Sequence, residues 1–228
     1  MGTFGPLSSA LIVTFIFEGL SGIRKLLRKF TIWRININWY LFCFFSTALI
    51  AVAAIGISFA LGSRIFIFND LKKVYLVIPV FLYVFSLSVL GEETGWRGFA
   101  LPRLQRKYGA LVASLGIGVI WGLWHLPLFF IAGNFHQDIS FTLFMIQEVA
   151  LSIVMTWIYN NSRGSLLLVH FFHAASNVTI GLLPVLPSNT GGDMWVLYIT
   201  VGLLIVLSIN IVLSGTLSRQ TDKTGEIR

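Results

Sequence analysis

Charge is what this sequence has least of. Only 11% of its 228 residues are Asp, Glu, Lys or Arg, against about 25% in a soluble globular domain, so a water-facing surface cannot be built from this composition. Cysteine is nearly absent: Cys43 stands alone, which excludes a disulfide scaffold and reads as a small buried hydrophobe. Six prolines beside 20 Phe and 7 Trp exclude collagen-like and disordered chains. Residues 1–21 contain no Lys or Arg and no small-residue cleavage site, so no removable signal peptide is expected. Acidic residues are scarcer than basic ones, 9 against 16, for a net charge of +7. The basic residues are scattered over short connectors and form neither a stripe nor an RNA-binding motif, so nucleic acid is not an expected partner.

Hydrophobic residues make up 56% of the chain, and the mean hydropathy is +0.85. They fall in long runs at roughly 3–21, 38–61, 74–101, 110–132, 141–159, 165–183 and 194–215. Closed barrels need alternating segments of ~10 residues, whereas these continuous runs are long enough for helices to cross a ~30 Å hydrocarbon core. The expected fold is therefore all-α, a polytopic transmembrane helix bundle of about seven spans (six to eight), forming one membrane domain over 1–228. Thirteen of the 16 Lys and Arg residues lie in alternate connectors or at their edges (22–37, 97–109 and 160–164) or in the tail at 218–228. Arg64, Lys72 and Lys73 face the other way. This asymmetry predicts an external N-terminus and a cytoplasmic C-terminus. The basic, aromatic stretch at 24–34 also suits a helix lying in the membrane surface. No internal repeat of the transporter kind is present.

In so apolar a chain, ionisable groups inside the spans are functional candidates by default. They are Glu92, Glu93 and Arg97 in GEETGWRGF, His125 in WGLWHLP, and His170, His173 and Asn177 in HFFHAASN. Counting from a turn near Gly109, Glu92 lies 17 residues before it and His125 16 after it. Two antiparallel helices leaving that turn place both at about 24–26 Å along the chain. His173 and Asn177 stand 9 and 13 residues beyond Gly164, roughly 14–20 Å deep. Three spans thus bring four polar groups to one layer, which predicts a polar intramembrane cavity.

Side-chain phase adds roles. Glu93 and Arg97 are i,i+4 neighbours oriented for a structural ion pair, which leaves Glu92 pointing about 100° away. His173 and Asn177 share one stripe, and His170, a turn earlier, reads as packing or support. Glu148 is an isolated mid-span carboxyl able to line the same cavity, Glu18 reaches the interface, and His136 and Asp138 are expected in an exposed loop. Gly91, Gly95, Gly118 and Gly122 have the small-xxx-small spacing of close helix contacts. A bland alternative exists for each polar residue: Glu92–His125 and His173–Asn177 could simply hold helices together.

The three motifs, Glu92-Glu93-Thr-Gly-Trp-Arg97, Trp121-Gly-Leu-Trp-His125 and His173-Ala-Ala-Ser-Asn177, resemble those of the CPBP family. This family comprises type II CAAX prenyl endopeptidases and bacteriocin-processing, Abi-type intramembrane proteases. The resemblance covers about 78–180, the expected protease-like core. The family usually has Phe where this chain has Trp121, a departure that touches pocket shape.

The resemblance implies an intramembrane endopeptidase cleaving a membrane-anchored, possibly lipidated, protein or peptide. Glu92 and His125 would activate water, and His173 and Asn177 would stabilise the oxyanion. Glu93, Arg97, Trp121 and His170 would support them. No covalent nucleophile sits in a recognisable setting. A metal-free site is preferred, with a zinc ion held by Glu92, His125 and His173 as the alternative. The absence of long loops suggests a prokaryotic plasma membrane. A non-enzymatic immunity or regulatory protein of the same fold, or a proton-coupled transporter, are the competing functions.

Overall fold

The computed structural model describes residues 2–63 and 75–218, so Arg64, Lys72, Lys73 and the basic tail residues Arg219, Lys223 and Arg228 lie outside the described residues. The described residues contain no strand. Six continuous helical stretches are long and apolar enough to cross a membrane, and the protein is an integral membrane protein. The third stretch, Val77–Phe130, is 54 residues long. It is broken at Gly109, whose φ of 79° and ψ of 165° reverse the chain. Glycine is the residue that adopts such a φ without a Cβ penalty. The runs expected at 74–101 and 110–132 are therefore the two arms of this hairpin, in keeping with six to eight spans.

The main helices are α1 (Gly5–Arg28), α2 (Ile37–Ala60), α3 (Val77–Tyr83), α4 (Leu90–Glu93), α5 (Leu101–Trp124), α6 (Phe141–Asn161), α7 (Leu166–Leu182), α8 (Pro187–Thr190) and α9 (Trp195–Leu213). Helices α6 and α7 are the most enclosed. Helix α6 is apolar almost all round, as an interior helix must be, and packs against α5 and α9. Helix α2 lies on α7 and α9, with Cys43, Ala51 and Ala54 fully buried and Thr47 Oγ1 3.2 Å from Thr179 Oγ1.

Glycines set the closest approaches. A Cβ at Gly118 would lie 2.7 Å from Val149 Cα, and one at Gly122 2.6 Å from Met145 Sδ, so α5 rests directly on α6. The same holds where the first arm of α1 runs beside 91–98: a Cβ at Gly95 would lie 2.5 Å from the Pro6 carbonyl oxygen.

Helix α1 is not one straight span. Gly19 (φ 61°, ψ −160°) splits it, and a Cβ at Gly22 would meet Thr14 Cγ2 at 2.8 Å. The arms 5–18 and 20–28 thus fold against each other, and the basic stretch is the returning arm plus its connector. Glu18, at the vertex, pairs with Arg103 of α5.

The connectors predicted to share a face are joined there by hydrogen bonds. Ser165 Oγ donates to the Ile32 carbonyl (2.7 Å), and the Arg163 guanidinium donates to the Arg34 carbonyl. Gln105 and Asn160 exchange amide bonds of 3.1 and 3.0 Å. Asn160 and Asn161 donate to the Leu217 and Thr216 carbonyls.

Candidate active site

Glu92 and Glu93 sit on one α-helical turn, Leu90–Glu93, between two π-helical segments, Val84–Val89 and Thr94–Ala100. A π segment adds a residue to each turn and swings side-chain phase, a feature frequent at functional sites. The two carboxyls consequently face different surroundings.

Glu93 is fully enclosed. Arg97 Nη1 donates to both of its oxygens, at 2.8 and 3.0 Å, and both side chains are 0% exposed. Glu93 Oε1 also lies 3.0 Å from His173 Nδ1, so one carboxylate joins the first and third motifs. Arg97 stacks over the Trp121 ring, 4.6 Å from its centroid.

Glu92 faces a cavity of about 320 Å³ between α4, α5, α6 and α7. Its Oε2 accepts a 2.7 Å hydrogen bond from the Trp121 indole N–H. Trp121 is thereby the hub of the site: its carbonyl lies 2.9 Å from His125 Nδ1, and its ring meets the His173 ring edgewise at 5.1 Å. Both His125 and His173 are held through Nδ1 by oxygen acceptors, which places the proton there and leaves Nε2 for whatever enters.

Glu92, His125, His173, Asn177 and Trp121 all line this one cavity. Asn177 is half-buried on α7, one turn beyond His173. Glu93 and Arg97 lie behind the wall. His170 stays outside: Nδ1 donates to the Leu166 carbonyl at 2.6 Å, and the ring packs against Phe30 and Phe85. Among the described residues no group of three or more His, Cys, Asp or Glu is disposed to hold a metal ion. Glu92, His125 and His173, the alternative zinc set, do not form such a group.

Two ionisable residues that the motifs do not mark also line the cavity. Glu148 of α6 lines the cavity, is 5% exposed and leaves Oε2 without a partner. Gly118 and Gly122, by drawing α6 close, bring it there. His136, expected in an exposed loop, is instead 5% exposed and lines the cavity. It belongs to a short turn, Phe135–Asp138, and stacks on His125 with centroids 6.1 Å apart. The reason is legible in hindsight: the connector LPLFFIAGNF is too apolar to stay in water, and Phe129, Phe135 and Phe144 pack around the imidazole. Burial first, and the neighbouring His125 second, push the His136 imidazole down to about 4.

Fold and site together define a polytopic helical membrane protein with converging acid, base and amide groups inside its bundle. Comparison with known proteins takes the class further. Residues 74–179 match the family model described as the type II CAAX prenyl endopeptidase Rce1-like. A protein named CAAX prenyl protease 2 from Methanococcus maripaludis is 32% identical over 135 residues, 57% of this chain and 49% of that protein. The chain thus spans about half the length of this curated relative. The segment that matches this model is the one carrying all three motifs.

Proposed function

We propose that this protein is an intramembrane endopeptidase that hydrolyses a peptide bond of a membrane-anchored protein or peptide. The observation that carries the reading is the convergence of Glu92, His125, His173 and Asn177 on one cavity of about 320 Å³. The Rce1-like segment and the relative named as a CAAX prenyl protease support it.

In this mechanism a water molecule sits between Glu92 and His125 Nε2. Glu92 takes its proton as the hydroxide oxygen attacks the scissile carbonyl. Trp121 occupies one Glu92 oxygen with its N–H, directing the other toward the water. The developing oxyanion is met by the Asn177 amide and by His173, donors worth about 3–4 kcal/mol each in comparable sites. His173 Nδ1–H is already committed to Glu93, so donation from Nε2 requires the imidazolium, with Glu93 as its counter-charge. Collapse of the tetrahedral intermediate breaks the C–N bond, and the proton on Glu92 passes to the leaving amine. The substrate class follows the relative's name as far as a lipid-anchored C-terminal peptide. The membrane is that of a prokaryote, with the connector face carrying Arg34, Arg163 and Gln105 in the cytoplasm.

The test compares membranes from cells making the wild-type chain or Glu92→Gln at equal levels, by quantitative mass spectrometry of peptide termini. New termini with wild type alone are the expected result, reproduced by purified protein in the presence of a chelator. Identical termini in both samples would overturn the reading. Loss of cleavage with chelator alone would transfer the chemistry to a metal.

A further inference from the structure

A second recess lies away from the cavity, on the face where the connectors meet. It has a volume of about 630 Å³ and is lined by Lys25, Arg28, Lys29, Arg34 and Arg163 around Trp33, with no carboxylate among the described residues that line it. Lys25, Arg28, Arg34 and Arg163 are exposed. Among the described residues no ion pair engages Lys25, Arg28, Arg34 or Arg163. These four exposed cations around one hollow repel one another, and an anionic occupant reverses that cost.

The recess is built rather than incidental. The returning arm of α1 and its connector are fastened to the turn before α7 by Ser165 and by Arg163, which donate to the Ile32 and Arg34 carbonyls. Arg163 itself holds a φ of 58°, among the described residues the one positive value outside glycine, a conformation that L-residues adopt at a cost. Lys29 donates to the Gly98 carbonyl at 2.5 Å, which fixes the inner wall. Trp33, which lines the hollow, is 57% exposed, and on the returning arm of α1 Leu27 is 45% and Leu20 70% exposed, as expected of residues at the headgroup boundary and in the acyl region.

We propose that this recess binds the phosphate group of an anionic phospholipid, its acyl chains lying along the exposed apolar side of α1. Guanidinium and ammonium groups recognise phosphate oxygens through charge-assisted hydrogen bonds, and basic hollows between membrane helices take anionic headgroups for this reason. The adjoining apolar surface favours a headgroup over phosphate free in solution. The site is independent of the proposed hydrolysis, since none of its residues lines the catalytic cavity.

The experiment uses the purified full chain in detergent, titrated with phosphatidylglycerol, phosphatidylcholine or inorganic phosphate and read by native mass spectrometry and by the melting temperature. Lys25→Gln with Arg28→Gln removes two recess charges whose exposed side chains make no hydrogen bond or ion pair among the described residues. Arg34→Gln is the second variant. Arg24→Gln with Arg106→Gln removes equal charge from the same face outside the recess. Phosphatidylglycerol is expected to bind wild type and the control pair alike, and the Lys25/Arg28 double variant about thirtyfold more weakly, at ~1 kcal/mol per charge. Equal weakening in the control pair would overturn the recess in favour of general surface charge. Inorganic phosphate binding as tightly as the lipid would overturn the headgroup assignment and leave a free anion.

Discussion

Glu93 and Arg97 offer the sharpest test of how the site is held. Both are 0% exposed; Arg97 Nη1 donates to Glu93, and among the described residues Nε and Nη2 have no hydrogen-bond partner. Replacing Arg97 by Met leaves the Glu93 carboxylate with His173 alone. Replacing Glu93 by Leu leaves the guanidinium with nothing but the Trp121 face at 4.6 Å. Breaking a buried pair from one side costs about 3–5 kcal/mol, whereas exchanging both partners for apolar groups of similar volume is often neutral. Each single variant should therefore melt about 10 °C below wild type, at roughly 2–4 °C per kcal/mol for a chain of this size. The double variant should recover most of that loss. The coupling across the cycle is then about 5 kcal/mol or more, measured by tryptophan fluorescence melting in detergent. Singles that add in the double would refute the reasoning, because two independent packing defects sum and a broken pair does not. The recovered double should still fail to cleave, since His173 Nδ1 has lost its acceptor.

Trp121→Phe keeps the ring and removes the N–H that binds Glu92. A hydrogen bond to a charged group contributes about 1.5–3 kcal/mol, so kcat should fall tenfold or more with KM little changed; an unchanged kcat would show that Glu92 needs no such donor. His136 should govern acid stability. The unfolded chain takes up a proton at the ordinary histidine value, about 6.5, which the folded protein refuses until about 4. Stability should therefore be complete above pH 6.5 and decline as pH falls toward 4. His136→Gln should flatten melting temperature across that window, and curves running parallel in the two proteins would assign the decline to other groups.

The parts of this molecule that were legible in the sequence are those set by composition over a helix length. Spans follow from runs of about 20 apolar residues, and the shared connector face follows from where Lys and Arg collect. The Gly109 reversal follows from a glycine between two amphipathic arms. Local phase also served: Glu93 and Arg97, four apart, do pair. What the sequence could not disclose depends on contacts between distant segments. The α1 fold-back requires knowing that Gly22 meets Thr14 across a break at Gly19. The bond from Glu93 to His173 spans 80 residues, and two π segments shift the helix rotation on which any such pairing depends.

The three buried carboxyls show why residue type alone underdetermines role. Glu92, Glu93 and Glu148 are each at most 5% exposed, and each is equally conspicuous in an apolar run. Glu93 spends both oxygens on Arg97 and one of them again on His173, so it has no acceptor directed at the cavity. Glu92 has one indole donor and a face on the cavity. Glu148 shares that cavity but leaves Oε2 with no donor among the described residues. A buried acceptor without a donor is costly, so the Glu148 oxygen has to be met by whatever enters the cavity, water or substrate. A base needs an oxygen that is held in place and still reachable by water, and of the three carboxyls Glu92 combines both. The proposed division of labour thus rests on which oxygens are already engaged, a property of helix rotation and not of the letters in the chain.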